Sequence, residues 1–218
     1  MTPLDPDRTL ALSYVPAARR AAVGALWRLD AALGAALQGG REPLISQIKL
    51  VWWRDSLDKL DRQKPPAEPV LQEVAAQLLP KGLTGADLSA LEAGWTVLLS
   101  QEPLTSADLD SYAVGRGGLL FRYSARLLGS ALTSDQERGG EAWAFADLAR
   151  HSNSADAEAA LAAARSRITS VRWPSLLRPL GMLAALGARD VERGLDQLEP
   201  PGAPARMARM LRHRLTGR

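Results

Sequence analysis

The stretch PAARRAAVGALWRLDAALGAALQGG, residues 16–40, decides the fold class. Val23, Leu26, Leu29, Leu33 and Leu37 recur at three- and four-residue spacing, which lays apolar side chains along one face of an α-helix. Pro16 suits the first turn, and Gly39-Gly40 suit the end. Outward from it the same pattern repeats. From Glu42 to Arg62, Leu50, Trp53, Leu57 and Leu60 make a stripe that Ile45, Ile48 and Trp52 widen. Further helices are expected over Val70–Leu79, from a cap at Thr84 or Ser89 to Ser100, and over Ser106–Leu128 with Gly129 just past the end. Beyond these the pattern fits Ser134–Arg150, Ala155–Ser170, Pro174–Leu186, Asp190–Leu198 and Pro204–Leu215. No period-2 alternation bounded by hairpin turns competes with this. The expected fold is all-α, an orthogonal helix array or bundle of about eight to eleven helices.

Composition bounds the chemistry. The 218 residues suit one domain, and the Pro-rich breaks at 63–69 and 199–204 look like loops between helices. There is no cysteine, which excludes disulfides, Cys-ligated zinc, iron–sulfur clusters and thiol catalysis. His151 and His213 are the only histidines, too few for a His-rich metal site. The apolar content is mostly Ala and Leu, and the N-terminus carries no signal-peptide core. No apolar run reaches the ~18–20 residues of a membrane span. A net charge of +3 permits contact with an anionic membrane or a phosphate and does not call for nucleic acid.

Several motifs carry two readings each. Asp55, Asp58 and Asp61 are spaced to share a divalent cation that holds a diphosphate, but Arg54, Lys59 and Arg62 interleave with them as on a solvated helix face. Gly115-Arg116-Gly117-Gly118 looks like a phosphate cradle, yet it lies inside a helical pattern, where glycines let another helix or an apolar ligand approach the backbone. His151 has no partner at metal-ligand spacing and reads as a helix C-terminal residue. The tail helix sets Met207, Met210, Leu211 and Leu215 against Arg206, Arg209, Arg212, His213, Arg214 and Arg218. That pattern fits an anionic membrane surface or a final helix packed on the core. The six tryptophans fit core packing or the walls of a cavity for a prenyl or acyl chain.

Three stretches narrow the choice. Asp7-Arg8-Thr9-Leu10-Ala11-Leu12-Ser13-Tyr14-Val15-Pro16-Ala17-Ala18-Arg19-Arg20, followed by Ala25-Leu26-Trp27-Arg28-Leu29, resembles the opening helices of the squalene/phytoene synthase family. Arg41-Glu42-Pro43-Leu44, leading to Ile48-Lys49-Leu50-Val51-Trp52-Trp53-Arg54-Asp55, is similar to that family's next helix, and Pro69-Val70-Leu71 to the start of the one after. Leu109-Asp110-Ser111-Tyr112 and Gly140-Glu141-Ala142-Trp143 extend the resemblance more weakly. It implies one isoprenoid synthase-like domain over 1–218. It also implies head-to-head joining of prenyl diphosphates by two Asp-rich motifs that face each other across an apolar cavity and hold Mg²⁺. The expected cavity or ligand-binding residues are Trp27, Trp53, Tyr112, Gly115, Gly118, Trp143 and Arg150.

The acidic positions depart from the family pattern. Those of the first motif fall on Gly34, Ala35 and Gln38, and those of the second near His151 and Ala155. No catalytic residue and no metal ligand carries over, and no cofactor is expected unless an active prenyltransferase uses Mg²⁺ through other acids, such as Asp147 and Asp156. The pattern is most similar to a non-catalytic branch that includes an assembly factor for respiratory complex I. That branch implies complex I subunits or assembly intermediates as partners, and a cytoplasmic location, peripheral on the inner membrane. An isoprenoid- or lipid-binding module is the remaining alternative.

Overall fold

The computed structural model describes residues 3–38, 43–100 and 103–218. Gly39-Gly40 and Arg41-Glu42 lie outside the described residues, so the first helix's expected end and part of the Arg-Glu-Pro motif are not placed. Most helix starts carry a local cap. Asp5 accepts from the Arg8 amide at 2.9 Å and opens α1 (Pro6–Ser13), which the periodicity does not signal. Thr84 with Asp87, Thr105 with Asp108 and Thr133 with Gln136 form reciprocal capping boxes. They start α5 (Gly85–Thr96), α6 (Ser106–Tyr112) and α8 (Ser134–His151) and satisfy amides the first turn would leave unpaired. Glu68 caps α4 (Pro69–Gln77) and Asn153 caps α9 (Ser154–Arg167).

The stripe of residues 16–40 becomes α2 (Ala17–Leu37), with Leu26, Leu29 and Leu33 fully buried. The second stripe becomes α3 (Pro43–Lys59), which packs against α5 and buries Leu50, Trp53 and Leu57. No strand occurs among the described residues, and no helix there is long and apolar enough to cross a membrane.

Two helix expectations need correction. The run expected over Ser106–Leu128 is α6, a π-helical segment over Ala113–Gly118, and α7 (Leu119–Leu127). The wider π turn occurs where three glycines allow it, and such turns often re-aim a side chain at a functional position. The pieces expected at Pro174–Leu186 and Asp190–Leu198 are one helix, α10 (Arg178–Arg193). No breaker separates them, and Gly187 packs on the Trp143 backbone, so the helix ends at Gly194 with φ +72°. The last helix, α11 (Pro204–Thr216), ends at Gly217 in the left-handed region.

Helix α8 is the hub. It lies against α9, α10 and the π segment, α2 packs on α4 and α7, and α11 closes over α10 and α1. The π segment makes two close backbone crossings of its own. Gly94 of α5 meets Gly115, where an added Cβ would lie 2.7 Å from the Arg116 amide nitrogen. Gly117 meets Gly140, where a Cβ would lie 2.4 Å from the Gly140 carbonyl oxygen. The Gly-rich motif is therefore a helix-packing device, and its closeness carries Arg116 into the interior.

Candidate functional site

Helices α1, α2, α5, α8, α10 and α11, with residues of α3, α6, α9 and the π segment, line a half-open cavity of about 1310 Å³. Behind the lining residues Arg8, Trp95 and Arg116, α2 contributes Asp30, which is fully buried. An isolated carboxylate there would be strongly disfavoured, and two guanidinium groups answer it. Arg116 of the π segment binds both carboxylate oxygens, at 3.1 and 3.2 Å, and Arg8 of α1 lies 2.9 Å away. The Trp95 indole donates a further hydrogen bond at 3.1 Å. Arg116 turns its third nitrogen to Asp147 of α8, at 2.6 Å, and to the Tyr112 hydroxyl. Its guanidinium lies 4.1 Å from the Trp95 ring centre and 4.9 Å from that of Trp143, an arrangement that favours a cation over aromatic faces.

Asp30 of α2 and Asp147 of α8 are thus bridged by a cation belonging to the chain. Burial pushes against the Asp147 charge, but Arg116 and Arg8 outweigh it and hold this carboxyl down at about 2. Burial raises the Tyr112 phenol above its ordinary range.

A second cluster joins the other wall. Arg206 of α11 pairs with Asp7 at 2.8 Å and Asp190 at 2.5 Å. Arg150 grips Asp190 at 2.6 and 3.0 Å and donates to the Glu199 carbonyl at 2.7 Å. Asp7 also accepts from the Gly202 amide at 2.9 Å, which ties the loop before α11 to α1.

Of the residues expected at a cavity, Tyr112, Trp143 and Arg150 line it, as do Gly34, Ala35, Gln38 and His151 at the non-acidic motif positions. The others go elsewhere. Trp27 is core, its indole donating to Ser124 Oγ at 3.0 Å, and Trp53 is core beside Trp52. Gly115 serves the crossing with Gly94, Gly118 faces Glu141, and Ala155 is exposed in the first turn of α9. His151 is exposed at the end of α8 and contacts the Asp147 carbonyl at 2.8 Å.

The relocated acids do not form a metal centre. Asp55 is exposed and paired with Arg54 at 2.9 Å, and Asp58 is exposed. Asp61 caps α5 by accepting from the Gly85 amide at 2.7 Å. Asp156 borders the cavity but accepts from the Leu104 amide at 2.9 Å and from Asn153. No group of three or more potential metal ligands occurs among the described residues. The donor set does not fit a Mg²⁺–diphosphate assembly: among the described residues, the acids that reach the cavity are occupied by guanidinium or amide groups.

Sequence reasoning missed Arg116 and Arg8 as the centre of this site. The available signal was charge inside apolar pattern: Asp30 follows Leu29 on the buried face, and Arg116 sits within a glycine run.

Comparison with known proteins gives one match. The squalene/phytoene synthase family model covers residues 2–164. No curated protein and no solved structure is matched.

Proposed function

This chain belongs to the squalene/phytoene synthase family, and we propose that it is a non-catalytic member acting as a membrane-peripheral binding or assembly factor. The observation that carries the proposal is the bridge between Asp30 and Asp147. The family chemistry needs carboxylates free to anchor metal ions that draw off the diphosphate. Here Asp30 and Asp147 pair with Arg116 and Arg8 instead. Incubation with farnesyl or geranylgeranyl diphosphate and Mg²⁺ is expected to release no diphosphate and to yield no thirty- or forty-carbon product. Turnover at ordinary enzyme rates would sink the proposal.

The peripheral location draws on α3. Leu44, Ile45, Ile48 and Trp52 form an exposed apolar strip, with Ile48 61% and Trp52 45% accessible. Pro43 and Ser46 of the same helix border the cavity, so the strip flanks its mouth. An exposed apolar strip of this kind suits a lipid surface or a protein partner. We take the partner to be a respiratory complex I assembly intermediate, in keeping with the non-catalytic branch the motifs resemble. Loss of complex I activity in a deletion strain is expected, and unchanged activity would remove that part.

A further inference from the structure

We propose that the chain binds a phosphate-type oxyanion through Arg172, Ser175 and Arg178, where the loop before α10 meets the end of α11. The site shares no lining residue with the central cavity, and it does not depend on whether the chain is catalytic.

Charge is the first observation. No Asp or Glu occurs between Glu158 and Asp190 or after Glu199. The fold joins these two acid-free stretches. The Trp173 amide donates to the Gly217 carbonyl at 2.9 Å, and Arg178 donates to the Arg214 and Leu215 carbonyls at 3.0 and 3.1 Å. Arg172, Arg178, Arg209, Arg212, Arg214 and Arg218 therefore gather around the last turns of α11, and none of them forms an ion pair among the described residues. Around the cavity, by contrast, Arg8, Arg116, Arg150 and Arg206 each hold a carboxylate. After burial, the charges of Arg209 and Arg178 do most to push the His213 imidazole down, as a region of uncompensated positive charge would.

Geometry is the second. Arg172, Trp173, Pro174, Ser175 and Arg178 line a pocket of about 350 Å³. Its backbone is pinned from two sides. Gln136 of α8 donates to the Arg172 carbonyl at 3.2 Å, and the end of α11 holds the Trp173 amide. Arg178 spends Nε and Nη1 on the carbonyls of Trp173, Arg214 and Leu215, which orient the guanidinium without cancelling its charge. Its Nη2 makes no hydrogen bond among the described residues, and neither does the exposed Arg172 guanidinium or the exposed Ser175 hydroxyl. Two guanidinium groups with donors to spare and one hydroxyl thus share a small pocket. A phosphomonoester suits them, because it carries nearly two charges and three strong acceptor oxygens. Guanidinium groups bind such oxygens through charge-assisted hydrogen bonds.

The test is titration calorimetry of the full chain with inorganic phosphate, in about 0.15 M salt so that charges more than ~8 Å away are largely screened. Saturable one-to-one binding is expected, weakened about tenfold in Arg172→Gln by the loss of charge-assisted hydrogen bonds. Ser175→Ala is expected to weaken it less. Both residues are exposed, so both variants are expected to keep the wild-type melting temperature. Arg212→Gln removes the same charge from outside the pocket and is expected to change phosphate binding little. Flotation with phosphatidylcholine vesicles containing phosphatidic acid or, at matched charge, phosphatidylglycerol identifies the source of the phosphate. A preference for phosphatidic acid that Arg172→Gln abolishes assigns a lipid headgroup. Equal flotation with both, beside intact binding of inorganic phosphate, assigns a soluble phosphate compound. Absence of saturable phosphate binding overturns the inference. So does equal weakening in Arg212→Gln and Arg172→Gln, or binding undiminished in both folded pocket variants.

Discussion

At the scale of single residues, the interior is organised by paired charge. Asp30 pairs with two guanidinium groups at once, so its loss leaves the buried Arg8 with only Asp5 and the buried Arg116 with only Asp147 as carboxylate partners. Breaking a buried pair by removing one partner destabilises by about 3–5 kcal/mol. Asp30→Ala is expected to lose that much in urea unfolding. Asp147→Ala is expected to lose clearly less, because the Asp147 side chain is 25% exposed and Arg116 keeps its Asp30 contacts. His213 gives a pH signature. Burial first, then the neighbouring Arg209 and Arg178, push its imidazole down to about 4, against a smaller opposing pull from the Arg218 backbone. The folded state therefore resists a proton that the unfolded chain accepts near its ordinary value of about 6.5. Stability is full above that value and falls as the pH drops toward 4. The melting temperature is expected to decline between pH 7 and pH 5, and His213→Gln is expected to flatten that decline. A wild-type melting temperature constant over the interval would contradict this account.

At the scale of elements, the glycines of the π segment divide by what faces them. Gly94→Ala drives a methyl against backbone at the crossing of α5 with the π segment, and overpacking of this sort destabilises by about 1–3 kcal/mol. Gly118 has φ −61° and nothing closer than 3.8 Å to its notional Cβ, so Gly118→Ala is expected to be neutral or mildly stabilising through helix propensity. Thermal melts of the two variants separate these outcomes. The sequence pattern showed glycines suited to close approach, but which of them touch another backbone depends on where α5 and α8 cross. The two candidate surface helices also differ. Helix α11 buries Arg206, Met210 and His213 against the core and leaves Leu211 and Leu215 exposed, Leu215 by 78%. The exposed Arg212, with Arg218 just beyond the helix, favours weak attraction to anionic lipid that salt screens. Binding to anionic vesicles is expected to fall with added salt, whereas the part mediated by α3 is expected to persist in salt and to be lost in Ile48→Ser combined with Trp52→Ser. Equal, salt-insensitive binding of the wild type to neutral and anionic vesicles would remove the electrostatic contribution.

At the scale of the whole molecule, the family match ends at residue 164, but the cavity does not. Leu183 and Asp190 of α10 and Arg206 of α11 complete its wall, and Arg206 joins α1 to α10 across most of the chain's length. A chain ending at Ala203 is expected to lose cooperative unfolding or to melt far below the full chain, because Asp7 and Asp190 are left without Arg206; an unchanged melting temperature would show the clamp to be idle. The all-α class and most helix positions were legible in the sequence alone. Apolar period, capping residues and the identity of side chains at motif positions are local properties. Three things waited for the tertiary structure: the joining of α10, the division of residues between core and cavity, and the bridge from Asp30 through Arg116 to Asp147. These residues lie 86 and 31 positions apart. A charge reads the same in sequence whether it meets solvent or a buried partner, and only the packing of α1, α2 and α8 around the π segment decides which.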